Sequence, residues 1–119
     1  LVLIARALAV KPQLLVLDEP ESNLDFKNQL RVLTVLKHLT DTTGVGAVIN
    51  THFPAHALEV SDKTLILMPD GTTRFGATQD TLTEATLSES FGIGVRILAV
   101  DLPERPGYAC VAAYETSPR

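Results

Sequence analysis

Asp18 and Glu19 stand side by side directly after four aliphatic residues, Leu14-Leu15-Val16-Leu17, in a stretch bounded by Pro12 and Pro20. Successive side chains on an extended chain point to opposite sides, so the two carboxylates need not share one task. One can serve a cation while the other serves a water. Mg²⁺ keeps several of its waters and is held by one or two carboxylates together with substrate phosphates, so Asp18 alone is a sufficient protein contribution. Glu19 would then orient or deprotonate an attacking water, a role that contributes about 10² to 10⁴ in rate. An isolated Asp-Glu pair is more often a solvated strand end, and the surrounding elements decide between the two.

The aliphatic run reads as a strand buried on both faces, as in a parallel sheet covered by helices. Its acids then lie at the carboxyl edge, where open α/β sheets bind ligands. Residues 20–25 form a polar turn, and Asp25 is placed to cap a helix over residues 26 to about 40 by accepting the free amides of its first turn. Leu30, Leu33, Leu36 and Leu39, beside Val32 and Val35, give that helix a wide apolar face, with Lys27, Arg31 and Lys37 toward solvent. Gly44 and Gly46 break the chain. Ala47-Val48-Ile49 follows as a second buried strand, ending in Asn50-Thr51-His52, and strand, helix, strand in this order implies a right-handed parallel crossover.

Upstream, residues 1–10 are apolar nearly all round and stop at Lys11-Pro12, since the residue before proline is pushed out of the helical region. They open without Met, cap or turn, so they read as the middle of a buried helix and the sequence as a piece that begins further upstream. Downstream, Pro54 opens a short helix over residues 54–60. Residues 64–68 and 72–75 form a hairpin around Pro69-Asp70-Gly71. Thr81 and Glu84 are spaced as a capping box for a helix on which Leu87 and Phe91 share a face and which Gly92 ends. Val95, Ile97 and Ala99 alternate along the chain, and residues 108–114 are a further β-prone run, so a terminal hairpin is expected. Tyr108 and Tyr114 read as strand-packing residues and Cys110 as a small core residue, while His38 and His56 read as solvated.

Composition bounds the rest. A chain of 119 residues with 45% hydrophobic content is about one domain and can build a core. Its net charge of −4 gives no footprint for nucleic acid or an anionic membrane. One cysteine excludes an internal disulfide framework. No apolar run approaches the roughly 18 to 20 residues of a bilayer span, and no signal peptide is recognisable, so a cytosolic place is expected.

Residues 14–20 resemble the Walker B segment of ATP-binding cassette (ABC) ATPases, Ser22-Asn23-Leu24-Asp25 resembles their D-loop, and His52 resembles their switch histidine. Arg6-Ala7-Leu8-Ala9 is similar to the helix after the ABC signature motif, and Ser61-Asp62-Lys63 also fits. The hairpin after Pro69 and Ser88-Glu89-Ser90-Phe91-Gly92-Ile93 resemble importer ATPases for iron-siderophore, haem or cobalamin uptake. The resemblance implies an α/β fold: a partial P-loop NTPase (ABC ATPase) domain with parallel core strands, flanking helices and C-terminal β-hairpins. Residues 1–97 would be the carboxy-terminal part of that domain and 98–119 an extension.

The resemblance further implies that Asp18 holds Mg²⁺ through a water, that Glu19 is the general base, and that His52 contacts the γ-phosphate and helps hold the water and Glu19. Ser22, Asn23 and Asp25 would touch a partner ATPase subunit across shared ATP. ATP and Mg²⁺ are the implied cofactors. The implied partners are membrane permease subunits, a second copy of the ATPase and, indirectly, an extracytoplasmic substrate-binding protein, with no nucleic acid. The place would be the cytoplasmic face of the membrane. Two alternatives are an ABC ATPase of DNA repair or translation and a non-catalytic relic of the fold, against which intact Asp18, Glu19 and His52 argue. The sequence departs from the family at Glu21, where Thr or Ser is common, which adds negative charge beside the site. It also holds no Gly-x-x-x-x-Gly-Lys-Ser/Thr phosphate loop, Ser-Gly-Gly signature or glutamine loop, so residues 1–119 alone are expected to be inactive.

Overall fold

The computed structural model describes residues 4–6 and 9–116. They fall into two compact units, Leu1–His52 and Phe53–Arg119.

In the first unit, β1 (Leu14–Asp18) and β2 (Gly46–Asn50) pair in parallel, in register from Leu14↔Gly46 to Asp18↔Asn50. Helix α1 (Phe26–Thr43) connects them, so the two strands are parallel across a helix, as expected. Asp25 is extended, and its Oδ1 accepts the Asn28 amide at 2.9 Å, satisfying one of the free donors of the first turn. The helix runs three residues past the expected end because nothing stops it before Gly44, whose φ of 74° lies in the left-handed region. Thr40, Thr42 and Thr43 would ordinarily compete with helix, but each donates its hydroxyl to a carbonyl one turn back, at 3.0, 2.7 and 2.6 Å.

Val32 and Leu36 pack with Ile4, and Leu17, Leu39 and Ile49 lie against them. Leu30 does not join this face and is 53% exposed. A residue every three places slips by about 60° per step around a helix of 3.6 residues per turn, so the four leucines span half the cylinder. Among the described residues the strands are covered on one face. Leu15 is buried, whereas Val16 is 73% and Val48 55% exposed. Side chains alternate along each strand, and among the described residues only the face carrying Leu15, Leu17 and Ile49 is covered. Of the expected helix over residues 1–10, Ile4, Ala5 and Arg6 are helical and Val10 is an exposed turn residue; the stretches 1–3 and 7–8 lie outside the described residues.

The second unit holds α2 (Pro54–Val60), an antiparallel hairpin of β3 (Lys63–Leu67) and β4 (Thr73–Ala77), α3 (Thr78–Thr81), α4 (Glu84–Phe91) and a second hairpin of β5 (Gly94–Leu102) and β6 (Arg105–Tyr114). Its core is Ile66, Met68, Leu82, Leu87 and Val95. The expected Thr81–Glu84 capping box is replaced by one between Thr83, the N-cap, and Thr86. Thr81 is used up in α3, which leaves Thr83 as the extended residue before α4. Phe91 is 47% exposed and does not share burial with Leu87. His56 is not merely solvated, since its ring lies 4.9 Å from that of Phe53. The terminal hairpin begins at Gly94, where no Cβ would fit beneath the ring of the cross-strand Tyr114.

Glu84, freed from capping, clamps β5 to the start of α4. Its Oε2 accepts the Ile97 amide at 2.7 Å and Arg96 Nε at 2.9 Å. These bonds, the amide first, hold its carboxyl below the usual carboxylate range. A lowered acid contributes stability that is present above its unfolded pKa and is lost as pH falls through the folded value. Acidification below the ordinary Glu range is therefore expected to open the Glu84–Ile97 clamp. The check is a pH titration of the Ile97 amide by NMR, whose shift and exchange protection follow Glu84 and lose that titration in Glu84→Gln.

Candidate active site

β1 ends at Asp18, but the pairing continues one step, because the Glu19 amide donates to the Asn50 carbonyl at 2.7 Å. Glu19 then takes φ 44°, a left-handed conformation that a non-glycine residue adopts only where its surroundings enforce it. Its carbonyl accepts the Ser22 amide at 3.0 Å, closing a turn with Pro20 at the position that proline's fixed φ suits. The chain thus reverses immediately after the acid pair. Asn23, φ 62°, completes the passage to Asp25 and α1.

Side-chain links join the tips of β1 and β2. The Asn50 amide donates to Asp18 Oδ1 at 2.7 Å. The Thr51 hydroxyl donates to Glu21 Oε2 at 3.0 Å. His52 Nδ1 meets Glu19 Oε1 in a short contact. The side chains of His52 and Glu19 are 61% and 38% exposed, so both are open to water and ligand. The structure therefore brings Asp18, Glu19 and His52 to one edge of the parallel pair. Ser22 is half-buried in the turn, Asn23 is exposed, and Asp25 is engaged as the cap of α1.

This edge can do two things chemically. Glu19 can accept a proton, with the imidazole of His52 holding its carboxylate. Asp18 is exposed and has one oxygen fixed by an amide donor, and a carboxylate offers about four acceptor sites, so capacity remains for waters carried by a cation. Among the described residues no three His, Cys, Asp or Glu side chains converge as a ready-made metal cage. That donor set fits Mg²⁺ bound chiefly by phosphates and water with one carboxylate beside it.

Asn50, Thr51 and Glu21 escaped sequence reasoning. Glu21 read as surplus charge beside the site, yet it is wholly buried and bonded to Thr51. The signal for Asn50 was present: parallel pairing in register sets it opposite Asp18.

No family model matches the chain. A solved structure does: a metal-chelate type ABC transporter in an inward-facing conformation superposes with a TM-score of 0.90 at 32% identity, over 95% of this chain and 44% of that one. The fold is that of part of an ABC ATPase domain, α/β with parallel and antiparallel strands. Among curated proteins the chain is similar to an uncharacterized ABC transporter ATP-binding protein of Methanocaldococcus jannaschii, 33% identical over 81% of this chain and 37% of that protein. It is also similar to an Fe(3+) ions import ATP-binding protein of Rhizobium etli, 45% identical over 73% of this chain and 24% of the relative. A molybdate import ATP-binding protein of Haemophilus influenzae is 40% identical over 76% of this chain and 36% of its own length. The chain thus spans about a quarter to just over a third of these curated relatives. Among the described residues no helix is long and apolar enough to cross a membrane.

Proposed function

We propose that the chain is the carboxy-terminal part of an ATP-hydrolysing subunit that powers an ABC importer, with Asp18, Glu19 and His52 as its half of the hydrolytic machinery. The observation that carries this reading is the junction of Glu19 and His52 across the tips of two parallel strands, beside Asp18. Residues 1–97 would belong to the ATPase domain and 98–119 to an extension of it. Bound Mg²⁺ supplies charge neutralisation on the phosphates. Asp18 would hold the ion through one of its waters, while Glu19 takes the proton of the water that attacks the γ-phosphorus as the bridging oxygen leaves with ADP, and His52 fixes Glu19 and reaches the γ-phosphate.

Ser22, Asn23 and Asp25, in the turn between β1 and α1, face a second ATPase subunit. The subunit works on the cytoplasmic side of the membrane with permease subunits and, through them, an extracytoplasmic substrate-binding protein. A cargo of the iron-siderophore, haem or cobalamin kind is supported by likeness to a metal-chelate type transporter. Residues 1–119 contain no phosphate loop, so they do not turn over ATP by themselves.

The test is steady-state ATP turnover by the full-length protein. Turnover that needs Mg²⁺ and falls at least about tenfold in Asp18→Asn, as expected for a charge-bearing ligand lost from a phosphate site, supports the reading. Turnover indifferent to chelation and to Asp18→Asn overturns it.

A further inference from the structure

His52 lies two residues beyond the last rung of the parallel ladder, Asp18↔Asn50, so strand pairing does not fix its imidazole. Its contact with Glu19 is between two solvent-exposed side chains. Pairs of that kind are weak and easily screened, so the contact cannot by itself set the geometry it needs. Between the two lies a different kind of link. Glu21 is wholly buried, and its carboxylate accepts the hydroxyl of Thr51, the residue immediately before His52. Glu21 occupies the third place of the turn that starts at Glu19, so the same link reaches back toward the other partner of the exposed pair. A part-buried bond to a carboxylate is stronger and geometrically stricter than an exposed ion pair.

We propose that Glu21 is a positioning residue: by holding the Thr51 hydroxyl it sets the tip of β2 so that the imidazole of His52 meets the carboxylate of Glu19. The inference rests on the functional reading above, deepening it by naming what aligns the base with its partner. Glu21 touches no reacting atom in this scheme. Its effect is on the fraction of time Glu19 and His52 spend in the productive arrangement, and small misplacements of that sort cost up to about 10²-fold.

The experiment pairs a kinetic and a spectroscopic readout in the full-length protein. Thr51→Val removes the hydroxyl at nearly constant volume, and Glu21→Leu removes the carboxylate. Each is expected to lower kcat about 10-fold to 100-fold with KM for ATP unchanged. Thr51→Ser and Glu21→Gln keep a donor and an acceptor and are expected to restore most of the rate. The double variant Thr51→Val/Glu21→Leu should be no worse than the more damaging single one, as for residues acting through one bond. Without nucleotide, the ¹⁵N imidazole shifts of His52 should move in both single variants, with those of His38 as an unmoved reference. Unchanged His52 shifts in Thr51→Val together with full turnover overturn the proposal, as does a loss of stability in Glu21→Leu with normal kcat per folded molecule. Glu19→Gln in the same assay separates the two readings. If it too leaves turnover intact, the hydrolytic assignment fails; if it alone abolishes turnover, only the role of Glu21 fails.

Discussion

Glu19→Gln in the full-length protein is expected to lower kcat for ATP by at least about 100-fold, in line with removal of a general base. Gln matches Glu in size and keeps an oxygen for the imidazole of His52, but it cannot take up a proton. KM for ATP should therefore change little, and ATP-driven association of two subunits should persist, since no group that contacts nucleotide in the ground state is lost. That pattern, kcat and kcat/KM falling together, is the signature of an interaction made in the transition state. Steady-state kinetics together with size-exclusion chromatography in ATP checks it. A variant that binds poorly but turns over normally would give Glu19 a different role.

The second large effect concerns the scaffold rather than the chemistry. Leu36 is 2% exposed at the centre of the cluster that seats α1 on β1 and β2, beside Val32 and Ile4. Leu36→Ala removes those contacts and leaves a cavity, at a cost of about 2 to 5 kcal/mol. Amide hydrogen exchange at Leu15, Leu17 and Val48, whose amides bond across the β1–β2 pair, reads the loss directly in the unit that carries Asp18, Glu19 and His52. Protection should fall by at least about 30-fold at these amides, the equivalent of the lower bound of that range. Unchanged protection there would mean that the helix contributes little to holding the strands.

What could be read from the sequence was what local chemistry determines. The Asp25 cap needs only a carboxylate three residues before a free amide, and the Gly92 stop needs only a positive φ, so both were legible, whereas the helix expected to end near Thr40 runs on to Gly44. The parallel pairing of β1 and β2 followed from element order, because an intervening helix of this length leaves few other connections. What escaped depended on neighbours distant in sequence. Val16 and Val48 looked as apolar as Leu15, and among the described residues the placement of α1 sets which face is covered. Thr81, Thr83 and Thr86 offer several capping registers, and the short α3 turn selects among them.

The site divides in the same way. Its acids and its histidine were legible as types at strand ends, and the ladder register alone brings Asn50 to Asp18. The burial of Glu21 was not legible, since a Glu after a Pro in a polar turn reads as solvated until the tip of β2 is placed against it. The sequence departure at this position thus becomes a structural link.

In the proposed mechanism Glu19 and His52 act as one device on the attacking water, and a double-mutant cycle on single-turnover ATP hydrolysis tests that most directly. If the two form one device, His52→Ala costs much less in the Glu19→Gln background than in the wild type, the part that remains being its reach to the γ-phosphate. Independent losses that multiply in the double variant would contradict it.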